Sequence, residues 1–312
     1  MGIAIAGLGT AVPEQRLTNA DLEAVLDTSD EWIVERTGIR ERRVAAPGED
    51  TVTLAVTAGA AAIKDANISP ADIGLLVVAT CTPVQAMPAT AALVQDALGL
   101  HCGAFDLAAA CSGFVYGLVA AAGMAPGQPA LVIGAETLTR ITDPDDRGTR
   151  ILFGDGAGAA VITPSASPDR GLLSWDLGCD GSVASLLEIP IGGRFIEMEG
   201  KEVFRRAVRI VVESAAVTLE RAGLTPADVD LFVPHQANIR IIEACGTRLG
   251  IGAERTAVNI DRYGNTSAAS IPMALAEAAE EGRLKDGNVV LLSGFGAGMT
   301  WASAVLRWEG RS

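Results

Sequence analysis

Histidine and aromatic side chains are scarce in this sequence: 312 residues hold two histidines, and Phe, Trp and Tyr together make up 4%. Neither His101 nor His235 stands in an HExxH turn or beside paired cysteines, so a zinc site has no ligand set to build on. The five cysteines (Cys81, Cys102, Cys111, Cys179, Cys245) are scattered, odd in number and free of any CxxC pair. That argues against a disulfide framework and for thiols in a reducing compartment. No stretch approaches ~20 uncharged apolar residues, so no membrane span is expected. The opening MGIAIAGLGTAVPEQ lacks the basic region of a signal peptide, which makes a cytoplasmic protein the expectation. A run of Lys and Arg is missing too, and with a formal net charge of -14 the chain offers no basic face to nucleic acid.

What is plentiful is small and apolar. Hydrophobic residues make up 49% of the chain and there are 35 glycines, which suits tightly packed α/β layers better than a β-sandwich. An internal repeat sets the architecture. The stretch ISPADIGLLV from Ile68 to Val77 matches LTPADVDLFV from Leu224 to Val233, half a chain later. Before each lies a segment of helical period, marked by Val56, Ala60, Ile63 and Ala66 in one copy and Val212, Ala216, Leu219 and Ala222 in the other. After each comes a short apolar strand (LLVVAT; LFVPHQ), then a helix (Thr90 to Leu98; Ile241 to Leu249) and a strand (GAFDLA; TAVNID). A second helix (from Cys111; from Thr266) and another strand (ALVIGA; NVVLLSG) complete each copy. Such alternation builds mostly parallel sheets with functional residues at the carboxyl ends of strands.

Three residues at strand-to-helix transitions carry candidate chemistry. Cys111, in AFDLAAACSGF, sits where the positive end of a helix dipole favours thiolate. His235, in LFVPHQAN, follows a buried strand in the second half and can act as a base. Asn265, in RYGNTSAAS, follows a glycine that permits an unusual turn. Each also has an ordinary reading taken alone: a packing cysteine, a core histidine, a helix cap. His101, in LGLHCG, reads as structural.

In order and across nearly the whole length, TSDEWIVERTGIRERR, AAACSGF, DRGTRILFGDGAGAAV, VPHQANIRII and RYGNTSAASIP resemble the signatures of the β-ketoacyl-acyl carrier protein synthase III family. The resemblance implies a thiolase-type, five-layered αβαβα fold of the α/β class, made of two duplicated halves. Residues 1–164 would carry the nucleophilic cysteine and residues 165–312 the catalytic His and Asn. It further implies an acyl-CoA and malonyl-acyl carrier protein as substrates, a homodimer whose acyl pocket borrows from its neighbour, and no metal or redox cofactor.

Carried over residue by residue, the resemblance makes Cys111 the nucleophile and His235 and Asn265 donors to the enolate oxygen. The backbone N–H groups of Cys111 and Ala297 would form the acylation oxyanion hole. CoA contacts map to Thr28, Trp32, Arg36, Arg147 and Asn238, with Trp32 and Arg147 sandwiching the adenine. Carrier-protein contacts map to Gln236, Ala237, Asn238, Ile239 and Arg240, supported by the basic residues Lys201, Arg205, Arg206 and Arg209, which also fit a merely solvated helix face. The acyl pocket maps to Met87, Phe295 and Met299.

Departures from the family concern the substrate. Met87 and Met299 stand where aromatics are usual, Ala297 where glycine is common, and the connections at Met124 to Pro129 and Ile191 to Phe195 look short. Flexible methionine opens space, so tolerance of branched or bulky primers is expected over strict acetyl preference. A starter-unit ketosynthase or acyltransferase of a polyketide or other secondary pathway would share every catalytic residue, and a non-catalytic partner subunit would ordinarily lack Cys111. A degradative thiolase would want a second cysteine where this chain reads GFGAGM.

Overall fold

The computed structural model describes residues 2–310. The first half supplies β1 (Ile3–Ala11), α1 (Asp30–Thr37), α2 (Thr51–Asp65), β2 (Leu75–Ala79), α3 (Thr90–Ala97), β3 (Gly103–Leu107), α4 (Gly113–Met124), β4 (Ala130–Thr137) and β5 (Asp155–Pro164). The second supplies β6 (Gly171–Cys179), α5 (Gly200–Arg221), β7 (Leu231–Pro234), α6 (Ile239–Leu249), α7 (Ser270–Glu280), β8 (Val289–Gly296) and β9 (Thr300–Arg307).

The first sheet has the order β1-β5-β4-β2-β3, with β2 parallel to both β3 and β4. The second runs β6-β9-β8-β7, with β7 parallel to β8. Position for position this is one arrangement used twice, except that the second sheet lacks the counterpart of β3. The strand expected from TAVNID is reduced to a single bridge, Phe232 to Thr256. Its chain leaves the sheet because the Gln236 side-chain oxygen takes the Asn259 N–H at 3.0 Å, after which residues 260–263 coil into a helical turn.

Both faces of each sheet are buried, which is why the strands read as continuous apolar runs. In β2, Leu75 and Val77 point to one core and Leu76 and Val78 to another. The former core holds α4 and α7 between the two sheets, reached from the far side by Leu231 and Val233 of β7. The latter packs α2 and α3 on the outside of the first sheet, and a third core packs α5 and α6 outside the second. The result is the five-layered αβαβα thiolase fold.

Of the residues that mark the repeated helix, Ile63 and Leu219 are buried, Ala60 and Ala216 are exposed, and the rest are half-buried. Ala55, Ala58, Gly59 and Ala62 face inward in α2, and Ala207, Val208, Val211 and Ala215 in α5. Alanines win in α2 because the helix lies almost on the backbone of β1: a Cβ on Gly9 would meet the Ala58 carbonyl oxygen at 2.3 Å.

Candidate active site

The nucleophile candidate stands at the seam of the central layer. Cys111 lies in a single helical turn, Ala110–Ser112, that leads into α4, and it is 8% exposed. Ala110 holds a left-handed φ of 46°, an uncommon conformation for a residue with a Cβ, and it turns the cysteine out of strand geometry at this point. Burial pushes the Cys111 thiol up to about 12, with the Glu136 carboxylate adding to the rise and a hydrogen bond from Ser267 opposing it.

His235 follows β7 directly, pinned by its own N–H to the Ser293 carbonyl at 2.8 Å. Its Nδ1 lies 2.7 Å from Ser270 Oγ, which also accepts the Gln236 N–H at 3.3 Å. The Ser270 hydroxyl has no other acceptor among the described residues, so its proton points to Nδ1 and the imidazole carries its own proton on Nε2. Burial alone pulls the ring down to about 3. It is therefore a neutral donor, with the Phe295 ring edge-on at 5.6 Å.

Asn265 is held by backbone on both sides: its N–H donates to the Leu152 carbonyl at 2.8 Å and its carbonyl accepts the Gly154 N–H at 3.0 Å. Gly264 before it has φ 66°, and a Cβ there would meet the Leu152 oxygen at 2.8 Å, so glycine is required. The Asn265 Oδ1 accepts the Ser267 N–H at 2.9 Å. The amide thus does cap the next helical turn, and that bond leaves Nδ2 as the end free to donate. Fully buried Arg42 braces the turn that Asn265 bonds, donating to Ile151 O at 2.6 Å.

The three converge. Cys111, His235 and Asn265 line one small cavity of about 90 Å³ with Phe153, Phe204, Asn238, Phe295 and Gly296. A second cavity of about 190 Å³ shares Cys111 with the first and is lined mainly by Leu138, Ile141, Leu187, Ile189 and Ile196, together with Cys81, Ser267 and Ala297. The short ribbon pairing Leu187–Glu188 with Glu197–Met198 contributes to the walls of both. A larger groove of about 380 Å³ runs along α6, away from this chemistry.

Several candidates lie elsewhere than the sequence placed them. Gln236 is fully buried, with its amide spent on Pro234 O, Ala257 O and the Asn259 N–H, and Ala237 is buried beside it, so neither presents a surface to a carrier protein. Met299 is 1% exposed in the C-terminal core and lines neither cavity at Cys111, because the chain turns at Gly298 and directs it inward. Met87 is 85% exposed and reaches neither cavity of its own chain. Phe295 lines the smaller cavity rather than the apolar one. Ala297 avoids the conformation that would have made alanine costly, since the left-handed φ falls on Gly298.

Trp32 carries two guanidinium groups over its ring, Arg36 at 4.6 Å and Arg147 at 4.7 Å from the ring centre, and lines neither cavity. Arg147 also donates to the Asp27 carbonyl at 2.8 Å. A purine does not fit between Arg147 and Trp32 as they stand. Thr28 next to them keeps a buried hydroxyl without a partner. Asn238 is committed to structure: Oδ1 caps α6 through the Arg240 N–H and Nδ2 ties to the Arg36 carbonyl at 2.9 Å. Ile239 is half-buried, and Arg240 is exposed with its guanidinium 5.8 Å from Phe204. On α5, Arg205 and Arg206 both lean on Glu202 at 2.7 and 3.9 Å, and Arg209 lies 4.0 Å from Glu213.

Glu136 and Ser267, which the sequence reading passed over, also belong to this site. Glu136, one residue before the end of β4, has no exposure, and its carboxylate accepts the Cys81 N–H at 3.0 Å, the Thr82 hydroxyl at 2.7 Å and the Thr80 hydroxyl at 3.2 Å. The visible signal was a lone charge closing the apolar run ALVIGAE. Ser267 gave none, being one more small residue in NTSAAS.

A duplicated five-layered fold with a cysteine, a neutral histidine and an asparagine on one cavity defines a thiolase-fold condensing enzyme, an acyltransferase. Sequence profiles of 3-oxoacyl-[acyl-carrier-protein (ACP)] synthase III match residues 105–181, and for its C-terminal part residues 219–308. The chain belongs to the β-ketoacyl-acyl carrier protein synthase III family, which initiates fatty-acid synthesis. It is 50% identical over 323 residues to the β-ketoacyl-[acyl-carrier-protein] synthase III of Roseiflexus sp. (strain RS-1), covering 98% of each chain. Identity to that of Symbiobacterium thermophilum is 51% over 324 residues, again covering 98% of each. Among solved structures, 3-oxoacyl-[acyl-carrier-protein] synthase III from Aquifex aeolicus VF5 superposes with a TM-score of 0.94 at 45% identity, covering 98% of this chain and 100% of that one. The priming β-ketosynthase of the R1128 polyketide biosynthetic pathway also reaches 0.94, at 37% identity, covering 100% of this chain and 97% of that one.

Proposed function

We propose that this enzyme takes an acyl group from acyl-CoA onto Cys111 and condenses it with malonyl-acyl carrier protein. The observation that carries the reading is the convergence of Cys111 and two neutral donors on one cavity, backed by an apolar chamber that starts at the same sulfur. In acylation the Cys111 sulfur bonds the thioester carbonyl carbon and the CoA thiol leaves, the oxyanion facing the N–H groups of Cys111 and Ala297. In condensation the malonyl group loses CO₂, and the enolate oxygen takes hydrogen bonds from His235 Nε2 and Asn265 Nδ2. The enolate carbon then attacks the acyl carbon and Cys111 departs. Donors fixed in a dry site are worth several kcal/mol at such an oxygen. Every step is carried by these side chains and the two thioesters, without a metal or redox cofactor.

Trp32, Arg36 and Arg147 form the CoA entrance, with Arg147 swinging off the indole to admit the adenine. Trp32→Ala is expected to raise KM for acyl-CoA about tenfold, or ~1.4 kcal/mol, while leaving the rate at saturation near wild type. Initial rates against acyl-CoA concentration check this; a fall in kcat alone would remove Trp32 from the entrance. Arg240 with Lys201, Arg205, Arg206 and Arg209 forms the docking face for an acidic carrier protein, partly offset by Glu202 and Glu213. Exposed Met87 completes the apolar chamber of a second copy in a homodimer, and the free thiols suit a cytoplasmic setting.

The chamber's 190 Å³ is more than tenfold what a single water needs, ~10–15 Å³. Its wall of branched aliphatics suits primers longer or more branched than acetyl. Intact-protein mass spectrometry after incubation with acetyl, branched, aromatic and medium-chain acyl-CoAs tests both points. A primer-sized gain is expected, greatest for branched or medium chains; acylation by acetyl-CoA alone would end the broad-primer reading, and no adduct from any primer would end the function. The likeness to the R1128 priming ketosynthase supports a second reading, priming of a polyketide pathway. A preference for a polyketide carrier protein over the fatty-acid one would select it.

A further inference from the structure

Asn265 keeps its place through a neighbour that lines neither cavity at Cys111. Its backbone is tied on both sides to the 151–154 turn, by its own N–H to the Leu152 carbonyl at 2.8 Å and by the Gly154 N–H to its carbonyl at 3.0 Å, which together make the single bridge between Phe153 and Asn265. The amide therefore follows that turn. We propose that Arg42 is the positioning residue of the condensation step: its guanidinium, strapped between the N-terminal strand pair and the Ile151 carbonyl, sets the 151–154 turn and through it the Asn265 amide. This deepens the proposed function and rests on its reading of Asn265 as a donor to the enolate.

Arg42 is the middle residue of Glu41–Arg43, a short strand paired antiparallel with Arg16–Thr18. Its two terminal nitrogens reach different parts of the chain. Nη1 donates to the Leu17 carbonyl at 3.2 Å and to Asn19 Oδ1 at 2.8 Å, whereas Nη2 donates at 2.6 Å to the Ile151 carbonyl, 109 residues away in sequence. Asn19 is itself immobilised, its Nδ2 donating to Asp30 Oδ1 at 2.7 Å and to the Ile39 carbonyl at 2.8 Å. A planar fork of donors holds both ends of such a span at a fixed separation, which a single ammonium does not.

Packing points the same way. A Cβ on Gly154, which bonds Asn265, would lie 3.1 Å from Arg42 Cβ, and one on Gly264, which precedes Asn265, would lie 3.2 Å from it. The two glycines thus let the arginine stem rest against the backbone that carries the amide. The same segment meets that backbone twice more, with the Arg40 N–H on the Asp261 carbonyl at 3.0 Å and the Arg43 guanidinium 5.7 Å from the Tyr263 ring centre.

Stability alone accounts poorly for this residue. Arg42 has no exposure, forms no ion pair among the described residues, and keeps an Nε without a partner. A cation buried among carbonyls and one amide is costly to the fold, which favours a positional role over a stabilising one. Releasing the Ile151 carbonyl lets the turn shift, and a misplacement near ~1 Å costs up to about 100-fold in rate. That loss should fall on the step that uses Asn265. Cys111 stands in the 110–112 turn, to which Arg42 makes no hydrogen bond, so acylation should be spared. Phe153, in the shifted turn, lines both cavities, so a general disturbance of the pocket is the alternative to be told apart.

A double-mutant cycle on the full-length enzyme separates the two. Wild type, Arg42→Met, Asn265→Ala and the double variant are each assayed for acylation by intact mass and, once acylated, for CO₂ release from malonyl-acyl carrier protein. Arg42→Met, which fills the space of the stem without the guanidinium, is expected to acylate within about threefold of wild type and to lose roughly 10- to 100-fold in CO₂ release. In the Asn265→Ala background the same change should cost less than about threefold, because the amide it positions is gone. Arg42→Lys should fall between, an ammonium holding one end of the span only, and it runs the same cycle if Arg42→Met does not fold. Equal loss of acylation and CO₂ release, a loss undiminished in the Asn265→Ala background, or a wild-type rate in both Arg42 variants would each overturn the assignment. No CO₂ release by acylated wild type, or normal release by Asn265→Ala, would instead strike the proposed function beneath it.

Discussion

Cys111→Ser leaves no acyl-enzyme: incubated with acyl-CoA, the variant shows no mass gain where the wild type gains one acyl group, a loss on the order of 10³-fold or more in acylation rate. The size follows from how little the site does to the resting nucleophile. Burial already holds the thiol near 12, and what makes it useful is the intrinsic reactivity of sulfur once its proton moves. A serine hydroxyl in the same place is harder to deprotonate and gains nothing from the same neighbours. The fold should be unaffected, since oxygen for sulfur at an 8%-exposed position removes little packing, and a thermal melt checks this. The variant also isolates Cys81, which lines the same chamber. That residue is exposed, and burial of its thiol together with the Glu136 carboxylate raises its pKa well above the ordinary value. An acyl adduct persisting in Cys111→Ser would mean Cys81 is a second nucleophile and would overturn the assignment of Cys111 as the acylated residue.

The duplicated fold was legible because the repeat survives in residues with local jobs. Ser69-Pro-Ala-Asp72 and Thr225-Pro-Ala-Asp228 each close a single helical turn with the same reciprocal bonds between the first side chain and the aspartate, so the turn chemistry maintains the likeness. Where that local chemistry was absent the reading slipped. TAVNID has the composition of a strand, but Asn259 is claimed by Gln236, a contact 23 residues distant that no window can see. The same buried amide explains why Gln236 looked like part of a docking loop: its polarity signals hydrogen bonding, and only the fold shows that the partners are internal. That Cys111, His235 and Asn265 would meet was legible through their motifs, whereas the depth to which each is buried was not. Dipole and burial oppose each other at Cys111, and burial depth is a property of all five layers together.

That balance makes the asparagine the sharpest test of how labour is divided. Asn265→Ala is expected to acylate at Cys111 within a few-fold of wild type and to lose 10²–10³-fold in condensation, the usual cost of removing one donor from an oxyanion site, ~2.7–4 kcal/mol. In the proposed mechanism acylation draws on backbone N–H groups that the substitution leaves in place, while the enolate depends on Nδ2 and on His235 Nε2. Alanine also frees the Ser267 N–H that Oδ1 had accepted, so some loss of acylation through a shifted Ser267 is built into that variant. Asn265→Asp separates the two effects. The carboxylate keeps an oxygen for the Ser267 N–H but replaces the donor with a repelling charge, so it should acylate better than the alanine variant and condense worse. Acyl-enzyme formation followed by mass, and release of CO₂ from malonyl-acyl carrier protein by pre-acylated enzyme, read the two steps apart. Equal loss of both steps in the two variants would show that Asn265 serves the nucleophile as much as the enolate, and the cavity it shares with His235 would then be the site of acylation as well.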